Sequence, residues 1–266
     1  LQTVFLARRN AEVLGVLDTQ GALDLVRFLD GHLECLQTRR VPAFLGADQS
    51  GFAGGAAMVV QLVEDEAKRA EDERQKLGAR LKGEGVSYSF VETMGDPSQT
   101  LVDRSLLSDA IVMTMAGAND RELAHALAAV VTHADAPVLA VPHGASRLQL
   151  ENPVLVAWKP TKEAAHAVKR SVPLLAKAAR VDIVTIDPPG EGDFPPLAVA
   201  AYLSRHGIKA ELHERTAAGG STSDTLLATA RELGSGLVVM GGYFAGYIQD
   251  RRDNPREDIL TELSQA

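Results

Sequence analysis

The chain repeats itself. The run Thr3-Val-Phe-Leu-Ala7 returns as Pro153-Val-Leu-Val-Ala157, each a short apolar stretch followed by a polar, basic turn and then a helical pattern. A repeat of this length constrains the fold more than any motif, because each copy must bury a core with the same order of elements.

The correspondence continues along both halves. Val13, Leu14, Leu17, Leu25, Val26 and Leu29 fall at largely helical spacing, with Gly21 as a point of interruption, and Ala165, Val168, Val172, Leu175 and Ala178 do the same in the second half. Strands are predicted next at Leu33–Leu36 and Asp182–Ile186, then helices over Gly55–Lys82 and Pro196–His206 that end near Gly85 and Gly207. Strands Val86–Val91 and Ile208–His213 follow, then helices with Ser98 and Ser223 as N-caps. Both halves reach a four-residue apolar strand, Ala110-Ile-Val-Met113 and Leu237-Val-Val-Met240. Short β-branched runs alternating with helices imply parallel βαβ units buried on both faces. The first half adds a helix around Arg121–His133, a fifth strand over Pro137–Val141 and the linker Pro142–Arg147. The second reaches a helix over Arg256–Ser264 without a fifth strand. Two tandem doubly wound parallel-sheet α/β domains are expected, at 1–148 and 149–266.

Composition narrows the function. The 266 residues carry 27 Lys+Arg against 35 Asp+Glu, a net charge of −8 that argues against a general nucleic-acid partner. The single Cys35 excludes an intrachain disulfide and suits a reducing cytoplasm. No apolar run approaches the roughly 20 residues of a membrane span. The opening LQTVFLARRN lacks the features of a secretory leader.

The residues resemble the universal stress proteins in their tandem two-domain form, whose domains are of the adenine nucleotide α-hydrolase-like type. The likeness covers nearly the whole chain and is clearest in VLVAWKPTKEAAHAVKRSVPLLAKAARVDIVTID, LSRHGIKAELHE and DTLLATARELGSGLVVMGGY. It implies an ATP site in which an Asp after the first strand meets the nucleoside. A Gly-x-x-Gly and a later Gly-Ser/Thr after the fourth strand would wrap the phosphates, since glycines and a helix N-terminus let amides reach phosphate oxygens.

This chain departs from that pattern. In the second domain Lys159 stands near the expected Asp, Gly241 keeps the first glycine, Phe244 takes the place of the second, and Asp253-Asn254 or Asn254-Pro255 replaces the Gly-Ser/Thr pair. The first domain has Arg9-Asn10 after its first strand, Thr114 for the first glycine, Gly117 for the second and Leu127-Ala128 for the last pair. The candidate cofactor residues are therefore Trp158, Lys159, Gly241, Gly242 and Gly246, with Gly246 entering if the loop shifts by two residues and Trp158 weighed against a core role.

Other motifs point to little chemistry. Gly219-Gly220-Ser221-Thr222-Ser223 lacks a P-loop ending, no metal-ligand spacing or nucleophile elbow is present, and Cys35 has no evident His partner. Catalytic and metal residues are accordingly not assigned. The charged stretch Glu64–Lys82 reads as a solvated helix face with Glu64–Lys68 and Asp72–Lys76 pairs, or in a minority reading as a partner surface. The expectation is a non-catalytic cytoplasmic stress-response binding or scaffold module with no firm cofactor. It would assemble as a homodimer or internal pseudo-dimer through exposed fifth strands, with a protein partner a further option and no nucleic-acid or membrane partner. The alternatives are an ATP switch or weak ATPase in the second domain, and a small-ligand or anion sensor in the same crevice.

Overall fold

The computed structural model describes residues 3–8, 16–39, 53–94, 97–114, 121–142, 147–187, 194–217 and 221–241. The chain divides into two compact units, Leu1–Met115 with Ala126–Ser146, and Ala116–His125 with Arg147–Ala266.

The first unit contains β1 (Thr3–Arg8), α1 (Val16–Leu29), β2 (His32–Arg39), α2 (Ala53–Gly83), β3 (Ser87–Met94), α3 (Pro97–Ser105), β4 (Ala110–Thr114), the greater part of α4 (Arg121–His133) from Ala126 on, and β5 (Val138–Val141). The second contains β6 (Val154–Ala157), α5 (Lys162–Leu175), β7 (Val181–Ile186), α6 (Pro196–Arg205), β8 (Ala210–Arg215), α7 (Thr222–Glu232) and β9 (Leu237–Met240). The sheet orders are β3-β2-β1-β4-β5 and β8-β7-β6-β9. Every pairing is parallel.

Register makes the repeat concrete. Val4 pairs with Leu33 and Ala110 in the first sheet, and Val154 pairs with Val181 and Leu237 in the second. Two tandem parallel α/β sheets are thus present as expected, the second with four strands among the described residues.

Burial explains the largely apolar strands. Along β6 and β7, Val154, Val156, Val181 and Ile183 join Val168 and Leu175 of α5 and Val199 and Leu203 of α6 on one face. Leu155, Ala157, Val184 and Ile186 meet Leu226 and Ala230 of α7 on the other. With both faces covered, neither side of the strand carries the polar alternation of a half-exposed sheet. The predicted helix exits hold, Gly85 and Gly207 having φ of 67° and 76°, a region that only glycine enters without a Cβ penalty.

Four local expectations change. Helix α1 runs through Gly21 without interruption. The cap of α7 is Ser221, two residues before Ser223; its hydroxyl accepts from the Asp224 amide at 3.1 Å. Ser98 is a buried residue inside α3, which begins at Pro97. Proline suits that first helical position because the amide it lacks would have no partner there. Neither Glu64–Lys68 nor Asp72–Lys76 forms an ion pair among the described residues; Glu71 instead accepts from Gln75 at 3.0 Å.

Candidate functional site

In both sheets the strand order reverses beside the first strand of the repeat, between β1 and β4 and between β6 and β9. Open parallel sheets place ligand crevices at the carboxyl ends of the strands at such a reversal. The segment leaving β6 there is Trp158-Lys159-Pro160-Thr161, which leads into α5.

Trp158 is 5% exposed and belongs to the core of the second unit. Its amide donates to the Val184 carbonyl at 2.8 Å and its indole Nε1–H to the Phe194 carbonyl at 3.3 Å. This satisfies the indole's one donor and supports the core role over a ring laid open for stacking. Lys159 is exposed. Its carbonyl accepts from the Thr161 amide at 2.7 Å, tightening the turn into the helix.

The first turn of α5 is capped by its own chain. Thr161 Oγ1 accepts from the Ala164 amide at 3.2 Å. The Glu163 carboxyl is held below the ordinary glutamate range, first by its own backbone amide, then by the Thr161 hydroxyl, with smaller help from Lys162 and His166. An approaching phosphate therefore meets a carboxylate where free amides and positive helix potential would otherwise attract it.

Gly241 serves this same turn. A Cβ at 241 would collide with the Glu163 carbonyl group and lie 2.8 Å from the Ala164 nitrogen. The glycine is required for β9 to leave the sheet against α5, and that packing accounts for it without a ligand. Trp158, Lys159 and Gly241 thus converge on one helix start. Gly242 and Gly246, together with Phe244, Asp253, Asn254 and Pro255, lie outside the described residues.

In the first unit Thr114 ends β4 and is buried at 8% exposure. Leu127 and Ala128 lie within α4, and Leu127 is 1% exposed. A core leucine inside a helix cannot serve as the flexible end of a phosphate loop. Arg9, Asn10 and Gly117 lie outside the described residues.

A polar cluster at the opposite ends of the strands was not visible in the sequence. Asp182, fully buried as the second residue of β7, accepts from Arg180 Nε through both carboxylate oxygens at 3.0 Å. His213 Nε2 of β8 lies 2.9 Å from its Oδ1, and Arg180 Nη2 donates to the Leu233 carbonyl at 3.0 Å. The hydrogen bond and charge of Asp182 push the Arg180 guanidinium further towards its charged form. Asp182, Glu211 and His213 bring one ligand atom each within 4.8 Å of one another. With Arg180 holding both Asp182 oxygens, the cluster works as an ion-pair network that makes a buried carboxylate tolerable. Motif spacing could not reveal it, because its members meet through the pairing of Asp182 with Glu211 across two strands.

Comparison with solved structures gives the fold class. A universal stress protein from Archaeoglobus fulgidus is 16% identical, with a TM-score of 0.64 over 89% of this chain and 83% of that one. A candidate universal stress protein from Pseudomonas aeruginosa UCBPP-PA14 is 13% identical, with a TM-score of 0.50 over 89% of this chain and 81% of that one. A protein of unknown function from Pseudomonas aeruginosa PAO1 is 14% identical, with a TM-score of 0.51 over 89% and 80%. No family model matches the sequence, and no curated protein matches it. The fold is that of the universal stress proteins, and the likeness extends across both units. Among the described residues no helix is long and apolar enough to cross a membrane.

Proposed function

We propose that the chain is a non-catalytic stress-response module of the universal stress type, whose nucleotide crevices have been given over to packing and whose work is to bind another macromolecule in the cytoplasm. The carrying observation is the first turn of α5, filled by Thr161 and Glu163 and closed against Gly241. The burial of Thr114 and Leu127 at the corresponding positions of the first unit supports the same reading. Pairing of copies through fifth strands such as β5 is part of the proposal, since an exposed strand edge offers unmet backbone donors and acceptors.

The test is the nucleotide content of the purified full-length chain after acid release and chromatography. The expected result is no adenine nucleotide above about 0.1 per chain, because only complexes with slow dissociation survive purification. Near-stoichiometric adenine would overturn the proposal in favour of an ATP switch. A second reading, an anion sensor, is favoured by the exposed Lys159 at the crevice. It predicts a thermal shift with phosphate-bearing ligands that Lys159→Ala abolishes.

A further inference from the structure

The long helix of the first unit is far larger than its place in the fold requires. Helix α2 has 31 residues, about 46 Å at 1.5 Å per residue, and joins strands of 8 residues, about 26 Å each. The corresponding connection in the second unit is made by α6 with 10 residues. The repeat itself therefore shows that the crossover needs only a third of α2.

The carboxyl-terminal part of α2 is docked on its own sheet. Leu81 and Leu77 are buried. The Arg74 guanidinium lies 5.3 Å from the Phe90 ring centroid. The Gly78 carbonyl accepts from Tyr88 at 3.1 Å, and the Ala70 carbonyl from Gln37 at 2.7 Å. Residues 81, 77, 74 and 70 form one seam at alternating spacings of four and three. The same spacing continues through Ala67, Val63 and Val60. Past Ala70, however, none of Gln61, Glu64, Asp65, Ala67, Lys68 and Arg69 is buried, and Val63 and Val60 are 44% and 55% exposed. The seam thus runs on beyond the groups that cover it.

We infer that this extension of α2 is a docking surface for a basic amphipathic helix of a partner protein. A seam spaced three and four apart is matched by another helix with apolar residues at the same spacing. The residues flanking the seam in the heptad include Glu64 beside Val63, and Glu71 and Glu73 just beyond Ala70; Glu64 and Glu71 are exposed. Lysines or arginines beside the partner's seam would meet these acids. A second copy of α2 would bring the same glutamates to face them, and like charges at flanking positions oppose pairing. The inference rests on reading the chain as a binding module and supplies the chemistry of its partner.

The probe is a labelled synthetic helix of about three heptads with a Leu/Ile seam and Lys at the flanking positions, titrated with the full-length chain; its control carries Glu at those positions. The Lys peptide is expected to bind at least about tenfold more tightly than the Glu peptide, to weaken as salt rises from about 50 to about 300 mM, and to lose about tenfold in affinity with V60N/V63N. Both valines are exposed, so the variant should keep the thermal midpoint of the parent. Absence of binding overturns the surface while leaving the module reading to the nucleotide assay. Equal binding by parent and V60N/V63N overturns it as attraction to a chain of net charge −8 alone. A sedimenting dimer that V60N/V63N converts to monomer overturns the partner assignment in favour of a second copy.

Discussion

Glycine at 241 and glutamate at 163 describe the same contact from two sides. Gly241→Ala places a methyl against the Glu163 carbonyl group, so β9 or α5 must move, and the variant should lower the thermal midpoint although only one methyl is added. The Glu163 carboxyl gives a pH signature. Its folded value is depressed, so its stabilisation is complete above the unfolded glutamate value and lost as pH falls through the folded one. Glu163→Gln should therefore melt below the parent at neutral pH, with the gap closing as pH falls below the ordinary glutamate value; a gap that persists in acid would assign the loss to packing. Thr161→Ala, which removes the cap of α5, should cost about 1 kcal/mol in chemical denaturation. Sequence reading identified Gly241 through a phosphate motif, whereas the requirement for glycine is the approach of α5, which no spacing within one strand encodes. The cap of α7 was misplaced by two residues because Ser221, Thr222 and Ser223 are equally able to cap and only backbone geometry chooses among them.

At the scale of elements, the helix and strand order was legible because strands such as β4, β6 and β7 are buried at every position, which makes them largely apolar runs, while the helices packed on them are periodic. The surplus length of α2 was present in the sequence as a charged run. Periodicity reports that a helix has an apolar stripe and does not report what covers it, so the change from a buried Ala70 to an exposed Val63 and Val60 had to come from the structure. The two ends of the stripe should respond differently to the same chemistry. Leu81→Ala, at 0% exposure, should cost about 2–5 kcal/mol, while Val63→Ala should stay within about 0.5 kcal/mol. Equal losses would mean that the extension is covered after all. The Asp182 network belongs to this scale too, because the pairing of β7 with β8 assembles it from residues about thirty apart in sequence.

For the whole molecule, the repeat and the parallel sheets place the chain in the universal stress fold, and the same repeat separates what the fold needs from what each unit adds. Both units preserve the reversal of strand order at which such sheets bind ligands. In the second unit that position holds a self-capped helix, and in the first a buried threonine and a core leucine occupy positions where the resemblance implies glycine-rich phosphate contacts. The central claim is that this architecture persists without its nucleotide. Calorimetric titration of the full-length chain with Mg-ATP tests it most directly. The account predicts no saturable heat up to about 1 mM ATP with the protein folded, a binding free energy weaker than about −4 kcal/mol. Micromolar binding at one site per chain would contradict it.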